Sequence, residues 1–215
     1  MDSVVFRVAL PAALAAFVVC LAFLRSGVRQ RISRDPIRLG SAHPNEVASF
    51  AEGLLSAGTV GVALDVVLNA LWADGMTQHL AIPAIRNSPT AGWCGVFVLG
   101  AGLILDLWAV RSMGDSWRVG LDRESPGALV STGLYRYVRH PIYTAMIMVG
   151  LGMALLSADI VSIPAAAILW AGVSMQARVE ESFLAATYPE YNEYRMKTGR
   201  FLPKLVPLVL ARKQS

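Results

Sequence analysis

Apolar residues gather along this chain in long runs parted by polar stretches, and the length of those runs predicts helices that cross a bilayer. About 17 to 25 apolar residues span the hydrocarbon as an α-helix. Residues 4–24, 50–72 and 93–110 are each long enough to cross alone, while 142–158 and 160–177 are shorter. Only Asp159 separates the last two, which predicts a tight helical hairpin turning at the membrane surface. The expected fold is all-α: a polytopic integral membrane protein with about five transmembrane helices in a single domain over residues 1–215. Residues 111–143 and 178–203 form its expected cytoplasmic portion, a pocket capped by loop and C-terminal helix.

Composition agrees with the runs. A chain of 215 residues that is 55% hydrophobic and 16% charged has too few ionisable groups to coat a soluble globule of that size. Charge placement then orients it, because short loops rich in Lys and Arg stay in the cytoplasm. Of the 19 basic residues, all but Arg7 and Arg86 fall after the first run, between the third and fourth, or in the tail. Five alternating crossings place those three regions on one side, with the N-terminus outside and the tail in the cytoplasm, in a cell (inner) membrane. The net charge of +4 therefore describes loops facing anionic headgroups, and membrane lipids rather than nucleic acid are the expected partners. Asp2 before the first run and five arginines after it reverse the flanks of a cleaved signal peptide. Cys20 and Cys94 offer no disulfide framework, and no internal repeat divides the chain.

Four polar residues interrupt the apolar runs, and each is a candidate functional group by virtue of its cost in lipid. Asp65 and Asn69 share a helix face, where they line a polar cavity or bond to a neighbouring helix. Asp106 sits near the cytoplasmic end of its run, within reach of Arg111 or the loop beyond, and Glu52 is expected to be solvated.

Chemistry concentrates in the cytoplasmic stretches. The loop RSMGDSWRVGLDRESPGALVSTGLYRYVRHPIY, residues 111–143, is rich in arginines, aromatics and glycines and too long for a plain connector. His140-Pro141 opens the fourth helix, whose first-turn amides are donors for an anionic group, while Tyr135, Tyr137 and Tyr143 offer faces to a cation. Gln176, Arg178, Glu180 and Glu181 lie where the fifth helix leaves the membrane, and the hairpin brings His140 and Glu180 to the same side. Thr187 and Glu190 have the spacing of a capping box, predicting a short helix that carries Tyr191 and Tyr194 as a lid or along the interface.

The ordered set LVSTGLYRYVRHPIY, a membrane hairpin, EESFLAATYPEYNEY and RFLP resembles the C-terminal signature of the isoprenylcysteine carboxyl methyltransferases and their phospholipid methyltransferase relatives, over residues 116–203. The resemblance implies an S-adenosylmethionine-dependent transferase whose cofactor is surrounded by Leu129, Val130, Tyr135, His140, Pro141, Ile142, Tyr143 and Glu180. Gly150 and Gly152 match a G-x-G of the phospholipid branch, which close helix packing explains equally. Gly127 and Gln176 depart from the pattern, standing where a histidine and a substrate-binding arginine are usual. The methyl acceptor is expected to be lipophilic, bearing a carboxylate or an amine, and to enter from the bilayer. Arg139 and Arg178 are the candidates for orienting a carboxylate, and Glu181 or His140 for deprotonating an amine. No metal is expected, since His43, His79 and His140 would have to meet from both sides of the membrane.

Two rivals share the pattern. Sterol-type membrane reductases that use a reduced nicotinamide dinucleotide have a related His-Pro-x-Tyr hairpin, but Ile142 replaces their usual asparagine and Ala145 lacks the carboxylate that often follows. The other rival is a non-enzymatic membrane module of the same fold.

Overall fold

A computed structural model of the chain describes residues 46–72, 79–113 and 129–204. The expected helix over 4–24, Cys20, His43 and Gly127 lie outside the described residues. The rest is helical: α1 (Glu46–Trp72), the single turn α2 (Pro83–Arg86), α3 (Pro89–Met113), α4 (Pro141–Ser157), α5 (Ser162–Thr187) and α6 (Tyr191–Lys197). No strand occurs among the described residues beyond two isolated bridges.

Helix starts follow local chemistry. Ser88 accepts a hydrogen bond from the Ala91 N–H at 3.3 Å, so Ser88-Pro89 is a capping residue followed by the proline that the first helical position tolerates. Pro141 opens α4 in the same way. Between α4 and α5 the chain turns in four residues: Ala158 takes the left-handed conformation at φ 48°, and Asp159 Oδ1 accepts the Val161 and Ser162 N–H groups at 2.9 and 2.8 Å. The predicted hairpin is therefore present, closed by the residue that separates the two runs.

The four long helices pack in the order α3, α4, α5, α1. Close approach depends on glycine. A Cβ on Gly172 would lie 2.4 Å from the Leu55 backbone nitrogen, one on Gly58 2.4 Å from the Leu169 backbone, and one on Gly152 2.7 Å from the Leu99 nitrogen. Gly150 faces Leu169 of α5, so the G-x-G of α4 packs one glycine against each neighbouring helix. Leu55, Val62, Leu99, Met153, Leu169 and Val173 fill the centre.

Outward, the bundle is greasy. Val60, Leu64, Val67 and Leu71 form one exposed face of α1, and Trp93, Phe97, Ile104 and Trp108 one of α3. These two helices are long and apolar enough to cross a membrane, and α4 is a shorter apolar helix. Exposed apolar stripes at helical spacing have no place on a water-facing surface.

Polar groups inside the helices are satisfied by neighbours. At the hairpin end, Ser157 Oγ donates to Asp65 Oδ2 at 2.6 Å, and the Asn69 amide donates to Asp65 Oδ1 at 3.0 Å and to Asp159 Oδ2 at 3.5 Å. Asp65 and Asn69 thus tie α1 to the α4–α5 turn. Glu52, expected to be solvated, is half-buried, and Asp106 is buried.

Two boundaries differ from expectation. The fifth run's helix does not stop at residue 177 but continues to Thr187, because Arg178, Glu180 and Glu181 keep good helix formers in register beyond the apolar stretch. Thr187 therefore ends α5, its hydroxyl donating to the Phe183 carbonyl at 2.8 Å, and does not cap α6. The short helix with Tyr191 and Tyr194 forms nonetheless, with Glu190 at its N-cap and no side-chain cap bond.

Candidate active site

Two segments meet at the end of the bundle opposite the hairpin turn. The first leads into α4: Gly133, at φ 59°, starts a single 3-10 turn that carries Tyr135 inward. The second is the polar end of α5 together with α6 and residues 198–204, which fold back across the first. Val138 and Gly199 form a parallel bridge. The Arg139 N–H donates to the Gly199 carbonyl at 2.8 Å, the His140 N–H to Arg200 at 3.1 Å, and the Thr144 hydroxyl to Phe201 at 2.8 Å. Tyr194 from α6 adds a bond to the Tyr135 carbonyl at 2.6 Å.

His140 is the hub. Its buried ring stacks on Tyr143, centroids 5.4 Å apart and planes 11° from parallel, and leans against Phe201. Nδ1 lies 3.6 Å from Glu180 Oε2 and Nε2 3.4 Å from Glu181 Oε1, so the imidazole sits between two carboxylates of successive residues. Nε2 makes no hydrogen bond of good geometry.

The two glutamates have opposite surroundings. Burial raises the Glu180 carboxyl above the usual range; His140 and hydrogen bonds from Tyr143 and Gln176 oppose the rise without cancelling it, and Glu181 adds to it. Burial would raise Glu181 as well, but His140, Arg200 and Arg139 outweigh it and hold that carboxyl well below the usual range. Arg139 Nε donates to Glu181 Oε1 at 2.9 Å, while Arg200 donates to Oε1 at 3.1 Å and to Oε2 at 2.6 Å. Arg139 Nη2 lies 2.9 Å from the same Oε1, and Nη1 reaches the backbone carbonyls of Arg195, at 3.2 Å, and Thr198.

Residues 90–191 match the model of the phospholipid methyltransferase family. The chain is 26% identical over 134 residues to a probable protein-S-isoprenylcysteine O-methyltransferase of Oryza sativa subsp. japonica, covering 60% of this chain and 70% of the relative. It is 34% identical over 99 residues to the protein-S-isoprenylcysteine O-methyltransferase of Saccharomyces cerevisiae, covering 44% and 41%. A third relative, the cobalt-zinc-cadmium resistance protein CzcN of Cupriavidus metallidurans, is 28% identical over 171 residues, or 78% and 74% of the two chains. Over these residues the chain is similar to methyltransferases of the phospholipid and isoprenylcysteine kinds.

The residues that match the phospholipid methyltransferase family run from the start of α3 to the start of α6 and include both halves of the His140 cluster. Of the sequence-predicted site residues, Tyr135, Arg139, His140, Pro141, Tyr143, Glu180 and Glu181 gather at this end, six of them through the contacts above and Pro141 as the buried first residue of α4. Leu129, Val130 and Ile142 are half-buried nearby in sequence. Arg178 is exposed on α5, and its carbonyl accepts the Ser182 hydroxyl. Arg200, Thr198 and Phe201 complete the cluster without having been singled out as site residues; the RFLP motif around them was the available signal.

Proposed function

We propose that this chain transfers a methyl group from S-adenosylmethionine to a lipophilic acceptor, an isoprenylcysteine-type carboxylate being the class its relatives' names support. One observation carries the reading: His140, Tyr143 and Glu180, from the start of α4 and the polar end of α5, converge at one end of the bundle inside the span that matches a methyltransferase family. The residues suit the cofactor. Glu180 and the Tyr135 and Tyr143 rings would hold its cationic groups, and first-turn amides of α4 would receive its carboxylate. Leu129, Val130, Pro141 and Ile142 would supply the apolar wall. When bound, S-adenosylmethionine supplies an activated methyl group on a sulfonium.

The chain's own contribution is position. Aligning two reactants removes roughly 7 to 11 kcal/mol of barrier. An acceptor carboxylate is already ionised at neutral pH and needs orientation rather than a base. Arg139 is committed to Glu181 and to two carbonyls, which leaves the exposed Arg178 as the better-placed candidate to meet it. The acceptor would reach the site laterally from lipid, past the exposed apolar faces of α1 and α3. The site end would face the cytoplasm, with residues 111–143 and 178–203 as its catalytic portion, in the cell membrane.

Isothermal titration of the detergent-purified protein with S-adenosylhomocysteine tests the class. Saturable binding is expected, weakened at least tenfold by Glu180→Ala or His140→Ala, as loss of a buried charged contact implies. No binding by the parent protein would sink the methyltransferase reading. Transfer of labelled methyl into a base-labile ester of an S-farnesylcysteine probe tests the carboxylate acceptor.

A further inference from the structure

Both oxygens of Glu181 are taken by guanidinium donors, and its side chain is 4% exposed. A carboxylate so held is a poor proton acceptor, but it is a strong tie. Its two guanidinium partners come from separate segments: Arg139 from the segment entering α4, and Arg200 from the tail after α6. Both segments also exchange backbone bonds, the N–H groups of Arg139 and His140 donating to Gly199 and Arg200. The tail supplies the Phe201 ring beside His140 and the carbonyl that fixes Thr144.

We propose that Glu181 is a positioning residue: with Arg139 and Arg200 it forms a clasp that pins the C-terminal segment Gly199–Phe201 across the His140 corner and so sets the imidazole between Tyr143 and Glu180. The inference rests on the methyl-transfer reading only for the ligand used to test it. Deleting Glu181 leaves two guanidinium groups facing one another in a largely buried setting, and breaking such a group from one side is costlier than removing both signs together. The clasp therefore predicts a rescue that a proton-transfer role does not. Gly199 is part of the device, since a Cβ there would lie 1.7 Å from the Leu202 carbonyl oxygen and the tail could not make its turn.

The test uses the full chain in detergent, with hydrogen exchange of peptides covering 138–142 and 198–201 and titration with S-adenosylhomocysteine. Glu181→Gln is expected to speed exchange in both peptides and to weaken binding about tenfold. Glu181→Gln/Arg200→Gln is expected to recover part of that loss, exchange included. Arg200→Gln alone, at a side chain 35% exposed, is expected to loosen both peptides and weaken binding while the thermal midpoint holds within about 2 °C. Unchanged exchange in Glu181→Gln and Arg200→Gln would overturn the clasp, as would a double variant no better than Glu181→Gln. Failure of the parent to bind S-adenosylhomocysteine would refute the methyltransferase reading alone, because exchange in the two peptides still decides the clasp.

Discussion

Glu180 and Glu181 are neighbours in the chain, yet α5 points them about 100° apart, one toward tyrosines and a glutamine, the other toward two arginines. Because burial raises Glu180, it gives up its charge at a higher pH than an ordinary glutamate. A ligand ammonium group held by the ionised form is then released as pH falls through that raised value. S-adenosylhomocysteine affinity is expected to decline on the acid side at a higher pH than an ordinary glutamate would give, and Glu180→Gln to flatten that decline; titrations across pH check it. Glu181 has the opposite sign. Its folded value is depressed, so the stability it contributes is present above the unfolded value and lost only as pH falls through the folded one. The tail should stay docked in mild acid, which hydrogen exchange of residues 198–201 at pH 5 would show. Tyr143→Phe removes the hydroxyl that donates to Glu180. A bond to a charged group is worth roughly 1.5 to 3 kcal/mol, so about a tenfold or greater loss of S-adenosylhomocysteine affinity is expected.

At the scale of elements, backbone-to-backbone contact is what holds the helices. In lipid no hydrophobic gradient drives helix pairing, and small residues that permit close approach take its place. Gly172→Ala puts a methyl group 2.4 Å from the Leu55 nitrogen and pushes α1 from α5. Overpacking of that kind costs about 1 to 3 kcal/mol, and a lowered unfolding midpoint in detergent is the expected outcome. Gly53→Ala, on the facing helix α1 with nothing within 4 Å of the added carbon, is the control and should leave the midpoint unmoved or raised. Among the described residues, helix identity was legible from the apolar runs, and so was the meeting of His140 and Glu180, because a hairpin returns its ends to one side. The end of α5 was not. Past residue 177 the helix is held by register and packing instead of apolar length, and its continued rotation turns Arg178 outward while Glu181 turns in. Nor does charge spacing tell which of the tail's basic residues folds back; Arg200 reaches Glu181 only because a turn, α6 and the Gly199 bend intervene.

Across the whole molecule, polarity runs end to end. Asp65, Asn69, Ser157 and Asp159 lock the hairpin end, whereas Arg139, Arg195, Lys197, Arg200 and Lys204 lie at the other, separated by the length of α3. At 1.5 Å per residue that helix of 25 residues is about 37 Å long, enough to place its ends on opposite faces of a bilayer. Because positive charge stays on the cytoplasmic side, the proposed orientation puts the His140 end inside the cell, where a donor made there would meet it. Cys94, exposed one turn into α3 from the hairpin end, reports the other face. In a Cys20→Ser background, a membrane-impermeant maleimide is expected to label Cys94 on intact cells. With Cys94→Ser added, a Lys197→Cys probe on exposed α6 should label only after permeabilisation. The reverse pattern would put His140 and Glu180 outside the cell, away from any cytosolic methyl donor, and would overturn both the orientation and the route proposed for the cofactor.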